Sequence, residues 1–556
     1  MAVLSQYDYL FAIGTIFAFL DAWNIGANDV ANSFATSVAS RSLTMKQAML
    51  IASAMEFTGS MAVGARVSET IRTKVISTKL FAGNPAVLML AMVCAVIGSS
   101  TYLTIATRFG MPVSTTHSIM GGVIGVGIAA VGTDGVNWGW NGVSQVFAAW
   151  AIAPALAGAF GAIIFLTTKY AVMRRNNPVV KALSTVPIYF FITSALLTML
   201  IVWKGASSKI KLNDGQTAGV IVGVGAVVGV LIALFFLPYH YRKLIHNDWE
   251  LRPWDMLQGP LLLRRPEAPP PPANVKALRD YYEGHLTQEQ LDNLRSVDSN
   301  DVEKQPVSKD LEEKNVSSSE LASSIVAQPQ PEGERISKPT SVRPEGPWYS
   351  PAVAFYLAKR AVLHGVEQDV IDMQNKKDFL SGDIEAMHAT GEHFDNKAEH
   401  VFSFLQVLTA ATASFTHGAN DISNAVGPYA TIFLIWHTGE LSDKVPVPNW
   451  ILAFGGVALV IGLWTYGYNI MRALGNKITL HSPSRGFSME LGSAITIILA
   501  TRLKLPVSTT QCICGATVGV GLCNGTWRTI NWRMVAWIYT TVCSGPPEDV
   551  LTDAVS

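Results

Sequence analysis

Apolar residues in this chain gather in runs of about 20, the length a helix needs to cross a hydrocarbon layer about 30 Å thick. By that ruler the N-terminal part offers Tyr9 to Asp21, Met45 to Gly64, Ala86 to Ala106, Val113 to Val131, Val143 to Thr168, Val186 to Val202 and Ala218 to Leu237. The C-terminal part offers Val401 to Trp436, Trp450 to Ile470, Phe487 to Ala500, Val507 to Leu522 and Val535 to Val542. The pattern predicts an all-α polytopic membrane protein with the lipid bilayer as its main solvent, in two membrane blocks, residues 1–237 and 401–543.

Between the blocks, residues 238–400 turn charged and polar, with a proline run Pro269 to Pro272 and a Ser/Glu/Lys-rich stretch from Ser296 to Arg343. That stretch has too little apolar surface to fold alone. The segment opens on Arg242, Lys243, Arg252, Arg264 and Arg265, a juxtamembrane basic cluster that the positive-inside rule assigns to the cytosol. Within it, Phe355, Ala358, Val362, Val366, Val370 and Met373 recur at helical spacing, so Ala352 to Asn375 is expected as one amphipathic helix on the membrane surface or against the membrane helices.

Composition supports the membrane assignment. Of 556 residues 49% are hydrophobic and only 15% charged, where soluble domains carry about 25%. A formal net charge of zero gives no reason to expect a nucleic-acid partner. Cys94, Cys512, Cys514, Cys523 and Cys543 lie in or beside apolar segments without a second ligand cluster, so they read as packing residues and no cofactor is expected. The N-terminus lacks a basic leader and its apolar run outlasts a signal peptide, so the first helix is expected to be retained.

The chain also repeats itself. WNIGANDVAN at Trp23 to Asn32 is echoed by FTHGANDISN at Phe415 to Asn424, and ATRFGMPVSTT at Ala106 to Thr116 by ATRLKLPVSTT at Ala500 to Thr510. Asn137-Trp138 recurs as Asn531-Trp532. Ordered motif pairs at matching separation define two copies of one unit, about 20–138 and about 412–532. Duplicated membrane units with interrupted helices are characteristic of secondary transporters, whose ions and substrate meet at the repeat interface. Gly26 and Gly418, beside Asn and Asp in mid-segment, are expected to interrupt their helices and free backbone carbonyls. Pro112 and Pro506 are expected in the first turn of the helices that follow them.

Carboxylates at membrane depth cost about 2.5–3.5 kcal/mol each, so Asp29 and Asp421 need a partner. A monovalent cation supplies one, with Asn28, Asn32, Asn420 and Asn424 adding oxygen ligands. Ser114, Thr115, Thr116 and Ser508, Thr509, Thr510 each place three hydroxyls at an expected helix start, where amides and the helix dipole attract an oxyanion. Glu56 and Glu490 are candidate coupling carboxylates for a cation or a proton. Arg108 and Arg502 read as interfacial anchors. An enzyme reading fails on two counts. His117 is replaced by Gln511 in the second copy, so it is no duplicated base. An aspartic dyad of Asp29 and Asp421 leaves the two hydroxyl triplets without a role.

GANDVANS at Gly26 to Ser33, HGANDISNAVGP at His417 to Pro428 and the two PVSTT motifs resemble the inorganic phosphate transporter family of sodium- or proton-coupled symporters. GMPVSTTHSIMGG, TYGYNIMRALGNK and SPSRGFSMEL are similar to fungal plasma-membrane sodium/phosphate symporters. The resemblance implies inverted repeats with broken helices or re-entrant hairpins, about 11–12 membrane segments. It implies phosphate at Ser114 to Thr116 and Ser508 to Thr510, and sodium, as co-substrate, beside Asn28, Asp29, Asn420 and Asp421. A homodimer is compatible with it. One departure is the polar end from Ser544 to Ser556, where the family continues with an apolar helix, which bears on transport competence. Open alternatives are a phosphate-sensing receptor without net transport, proton coupling, and another tetrahedral oxyanion such as sulfate or arsenate.

Overall fold

The computed structural model describes residues 4–295 and 344–544, apart from 77, 141, 206–211, 271, 273–277, 294, 345, 348, 364, 367–369, 375–379, 381, 442–446 and 504. The Ser/Glu/Lys-rich stretch and nearly all of the polar C-terminal end therefore lie outside the described residues. Twelve long helices carry the architecture: α1 Asp8–Ala39, α2 Met45–Val75, α3 Pro85–Arg108, α4 Thr115–Val131, α5 Val143–Met173, α6 Pro178–Trp203, α7 Asp214–Leu244, α8 Asn396–Thr438, α9 Asn449–Tyr466, α10 Pro483–Arg502, α11 Thr509–Leu522 and α12 Trp532–Ser544. Among the described residues no strand forms, and seven helices are long and apolar enough to cross a membrane.

The two copies are inverted. Leu4 N donates to Trp436 O at 3.2 Å and Trp436 Nε1 to Asp8 at 2.8 Å, so the start of α1 meets the end of α8. Ser40, just past the end of α1, donates to Gln406 near the start of α8 at 2.7 Å. Equivalent helices therefore run antiparallel. In each copy, a helix and a short helix follow as a hairpin, α3–α4 and α10–α11, whose second arms of 17 and 14 residues fall short of the length needed to span.

Gly26 and Gly418 correct an expectation. α1 and α8 run unbroken through both glycines, and the carbonyls there stay within their helices. The reason is close packing. A Cβ on Gly26 would sit 1.9 Å from Leu459 O of α9, and one on Gly418 2.3 Å from Glu56 O of α2. Gly462 against Trp23 O at 1.9 Å and Gly59 against Phe415 O at 2.3 Å complete the same two crossings from the partner helices. Small residues at matched positions let backbones touch, which is how helices associate in lipid.

One smaller difference concerns the middle segment. Ala352 to Asn375 forms two pieces, Pro351–Leu363 and Val370–Gln374, rather than one helix, and Gln374 Nε2 donates to Met471 O at 2.7 Å, docking the second on the bundle. Arg265 pairs with Asp248 at 3.1 Å and Glu250 at 2.8 Å, folding residues 245–265 back against the end of α7. On the same side, Tyr282 Oη donates to Glu399 at 2.8 Å and Arg41 pairs with Glu283 at 2.7 Å. His388, in the short helix Ile384–Ala389, meets the His285 ring nitrogen at 3.0 Å and Asn476 O at 2.7 Å. These contacts form a cap over the loop-side end of α8 and α10.

Candidate ion-binding site

The hairpin arms start where their sequences dictate. Proline disfavours helix in the residue before it, so the chain stays extended through Pro112 and Pro506, and Ser114 and Ser508 become N-caps, each accepting the amide three residues on at 3.2 Å. The prolines thus lie two residues before the caps rather than in the first helical turn, as had been expected. With the N-cap on His117 and Gln511, the amides of Thr115 and Thr116, and of Thr509 and Thr510, are left without an intrahelical acceptor at the positive end of each helix.

Both ends are aimed at one place. Thr115 Oγ1 donates to Asp29 at 2.8 Å, and Thr509 Oγ1 to Asp421 at 2.8 Å. The second threonines cross over: Thr116 reaches Asp421 and Thr510 reaches Asp29, each at 3.5 Å. The asparagines cross as well. Asn32 Nδ2 donates to Thr509 at 3.3 Å and Thr510 at 2.9 Å, while Asn424 Nδ2 donates to Thr115 at 3.2 Å and Thr116 at 3.1 Å. All of these residues are buried. The copies therefore interlock, each carboxylate facing hydroxyls of both hairpins.

Asn28 and Asn420 depart from the pairing. Asn28 holds the first hairpin, accepting from Val113 N at 3.1 Å and donating to Thr107 Oγ1 and Met111 O, whereas Asn420 Nδ2 turns to Asp421 at 2.7 Å. Asn32 Oδ1 is buried with no hydrogen-bond donor, a free oxygen on a side chain whose amide reaches the cluster.

His417 was not singled out from the sequence and stands at the centre. Its Nε2 lies 3.0 Å from Asp421 and 3.5 Å from Asp29, and its Nδ1 2.6 Å from Glu56, which also accepts from Ser414 at 3.1 Å. A neutral imidazole donates from one nitrogen only, so three carboxylates around this ring demand shared protons or bound cations. Asp29, His417 and Asp421 offer ligand atoms within 4.8 Å of one another. The signal was in the repeat: the residue in register with His417 is Ile25, and the glycine crossings put Glu56 in register with Leu459. This His–Glu contact exists in one half alone.

The remaining candidates have other partners. Glu490 joins α1, α8 and α10, accepting from Thr36 at 2.6 Å, Ser37 at 2.7 Å, Thr409 at 2.6 Å and Gln406 at 3.1 Å. His117 packs its ring on Trp150 at 4.6 Å with neither ring nitrogen hydrogen-bonded, and Arg502 lies over Trp203 at 4.8 Å.

Comparison with known proteins agrees with this picture. Residues 25–546 match the Phosphate transporter family. The chain is 60% identical to the phosphate-repressible phosphate permease pho-4 of Neurospora crassa, over 97% of this chain and 95% of that protein. It is 28% identical to the sodium-dependent phosphate transporter 1 of Rattus norvegicus, over 97% and 94%. A solved structure titled "The sodium-dependent phosphate transporter" superposes with a TM-score of 0.59 at 25% identity, covering 98% of this chain and 99% of that one. A duplicated, all-helical membrane fold, two interlocked hairpins and a match along almost the whole chain lead to one conclusion: the protein belongs to the phosphate transporter family, a family of membrane carriers and not of enzymes.

Proposed function

We propose that the protein takes up inorganic phosphate across the plasma membrane by sodium-coupled symport. The observation that carries this reading is the meeting of the two hairpin N-termini with Asp29 and Asp421 at 2.8 Å. Amides and hydroxyls of Ser114, Thr115, Thr116, Ser508, Thr509 and Thr510 suit the oxygens of a tetrahedral oxyanion. The carboxylates oppose it. A phosphate charge about 4 Å from one carboxylate meets a repulsion of about 4 kcal/mol at an effective dielectric constant of about 20, near a thousandfold in affinity.

Cations at Asp29 and Asp421 remove that repulsion, so phosphate binds after they do. Asn28, Asn32, Asn420 and Asn424 are the neutral oxygen donors at hand, Asn32 Oδ1 foremost because nothing else uses it. Sodium is preferred to another monovalent ion because the rat relative and the solved structure carry sodium dependence in their names. Alternating access then reorients the neutralised, loaded carrier at lower electrostatic cost than the half-loaded one. If one net positive charge enters per cycle, a potential of about 100 mV contributes about 2.3 kcal/mol, or nearly fiftyfold accumulation.

The basic cluster Arg242, Lys243, Arg252, Arg264 and Arg265 supports a cytosolic position for residues 238–400, which places the start of α1 outside the cell. A second reading, with a proton replacing a sodium ion, is favoured by the His417–Glu56 contact at 2.6 Å. Uptake of labelled phosphate into proteoliposomes, with and without an inward sodium gradient at fixed pH, tests the main reading. Equal uptake in both rejects sodium coupling, and phosphate binding without any uptake makes the protein a receptor.

A further inference from the structure

One buried carboxylate has no part in the site above. Asp21 lies on α1 two turns before Asp29, is 0% exposed, and neither of its oxygens has a hydrogen-bond partner. The Ser99 hydroxyl of α3 lies against the carboxylate, near enough to act on its charge but outside hydrogen-bonding geometry, and Ser99 Oγ accepts from Ser118 of α4 at 3.1 Å. Three residues on, Asn24 faces the same helix, its Nδ2 donating to Leu20 O, Ser100 O and Thr104 Oγ1 at 2.9, 3.2 and 2.9 Å. That orientation leaves Asn24 Oδ1 buried without a donor. Three unpaired acceptor oxygens, one carrying formal charge, therefore line the α1–α3 interface at membrane depth, where each unsatisfied group costs free energy.

The arrangement belongs to one half. In the register that pairs Asp29 with Asp421, Asp21 corresponds to Ala413 and Asn24 to Thr416, whose hydroxyl bonds its own helix at Thr412 O. In the register that pairs Thr116 with Thr510, Thr104 corresponds to Ile498. Ser99 corresponds to Ser493 in that register, so a hydroxyl recurs in the second half while the carboxylate of Asp21 and the amide of Asn24 do not. Eight residues of helix put Asp21 about 12 Å from Asp29 toward the start of α1, the outer side in the orientation proposed above.

We infer that Asp21, Asn24 Oδ1 and Ser99 Oγ form an outer cation site that takes sodium before it reaches the central carboxylates. Hard oxygen donors, one charged and two neutral, match a small monovalent cation. The cation neutralises Asp21, and Asn28, next along the same face of α1, continues the polar path to Asp29. The inference rests on the sodium coupling proposed above.

The test uses the full chain in proteoliposomes, measuring phosphate uptake against sodium and against pH for the wild type, Asp21→Asn and Ser99→Ala. Asp21→Asn is expected to raise half-saturating sodium by about tenfold and to flatten its sigmoidal dependence, with uptake at saturating sodium retained. Ser99→Ala should move it the same way by a smaller factor, which keeps the inference testable if Asp21→Asn does not fold. Melting of the purified proteins against sodium chloride, with choline chloride as control and no phosphate, reads binding directly. The wild type should gain more from sodium than either variant. Unchanged sodium dependence in both measurements overturns the inference, as does a variant that shifts only the pH profile, which would make Asp21 a proton site. Wild-type uptake indifferent to sodium defeats the coupling reading instead, and the melting comparison still decides whether Asp21 binds the ion.

Discussion

Replacing Gly26 with alanine separates two roles a mid-helix glycine can play. If Gly26 served to interrupt α1, alanine would restore regular helix and stabilise the protein by about 0.5–1 kcal/mol. The structure demands the opposite. The new methyl group would lie 1.9 Å from Leu459 O and 2.7 Å from the carbonyl carbon, both backbone atoms of α9 that no rotamer change can move. Restoring an ordinary contact near 3.4 Å requires α1 and α9 to part by more than 1 Å. That also opens the reverse contact of Gly462 on Trp23 O. Overpacking of a tight core costs about 1–3 kcal/mol and lost dispersion along the crossing adds to it. Gly98 of α3 and Gly121 of α4 provide internal controls, because a Cβ there meets nothing within 4 Å. Thermal melting of the purified protein in detergent should therefore fall for Gly26→Ala and Gly418→Ala and stay level or rise for Gly98→Ala and Gly121→Ala. A Gly26→Ala protein that melts as high as the Gly98→Ala control would refute the packing account.

Three further outcomes follow from contacts already described. Glu490→Gln points an amide donor at a ring of donors from Thr36, Ser37, Gln406 and Thr409, leaving buried groups unpaired at about 1–3 kcal/mol each; melting should drop, and a wild-type curve contradicts the account. Thr115→Val and Thr509→Val each remove a hydroxyl bonded to a carboxylate, worth about 1.5–3 kcal/mol, so half-saturating phosphate should rise about 10- to 150-fold while Thr115→Ser stays close to wild type; equal values for valine and serine would dismiss the hydroxyl's role. Burial pushes the His388 imidazole of the cap down to about 4 against an opposing hydrogen bond to Asn476, and burial with the neighbouring His388 pushes His285 to about 2. Depressed folded-state values mean the unfolded cap takes protons first, so its stability is present above about pH 6.5 and is lost as pH falls toward about 4. Hydrogen exchange at residues 281–285 and 384–389, corrected for intrinsic rates, should quicken from pH 7.5 to 4.5, and constant protection argues against it.

What the sequence determined alone follows from properties local to a segment. Apolar run length fixed the all-helical membrane class, since backbone groups in lipid must be satisfied within a helix. Repetition of the GAND and PVSTT motifs establishes duplication and singles out Asp29, Asp421, Thr115, Thr116, Thr509 and Thr510. Local rules erred where a long-range partner decides. Gly26 reads as a helix breaker until Leu459 is seen against it, because propensity describes a helix in isolation and the packed crossing overrides it. Pro112 starts its helix three residues later than expected because Ser114 competes for the cap. Only the tertiary structure could decide that threonines of one copy reach the aspartate of the other, and that His417 joins Asp29, Asp421 and Glu56. The contacts between the two halves join residues 305 to 481 positions apart, and the side-chain geometry that gives them a common chemistry exists only after the helices have packed.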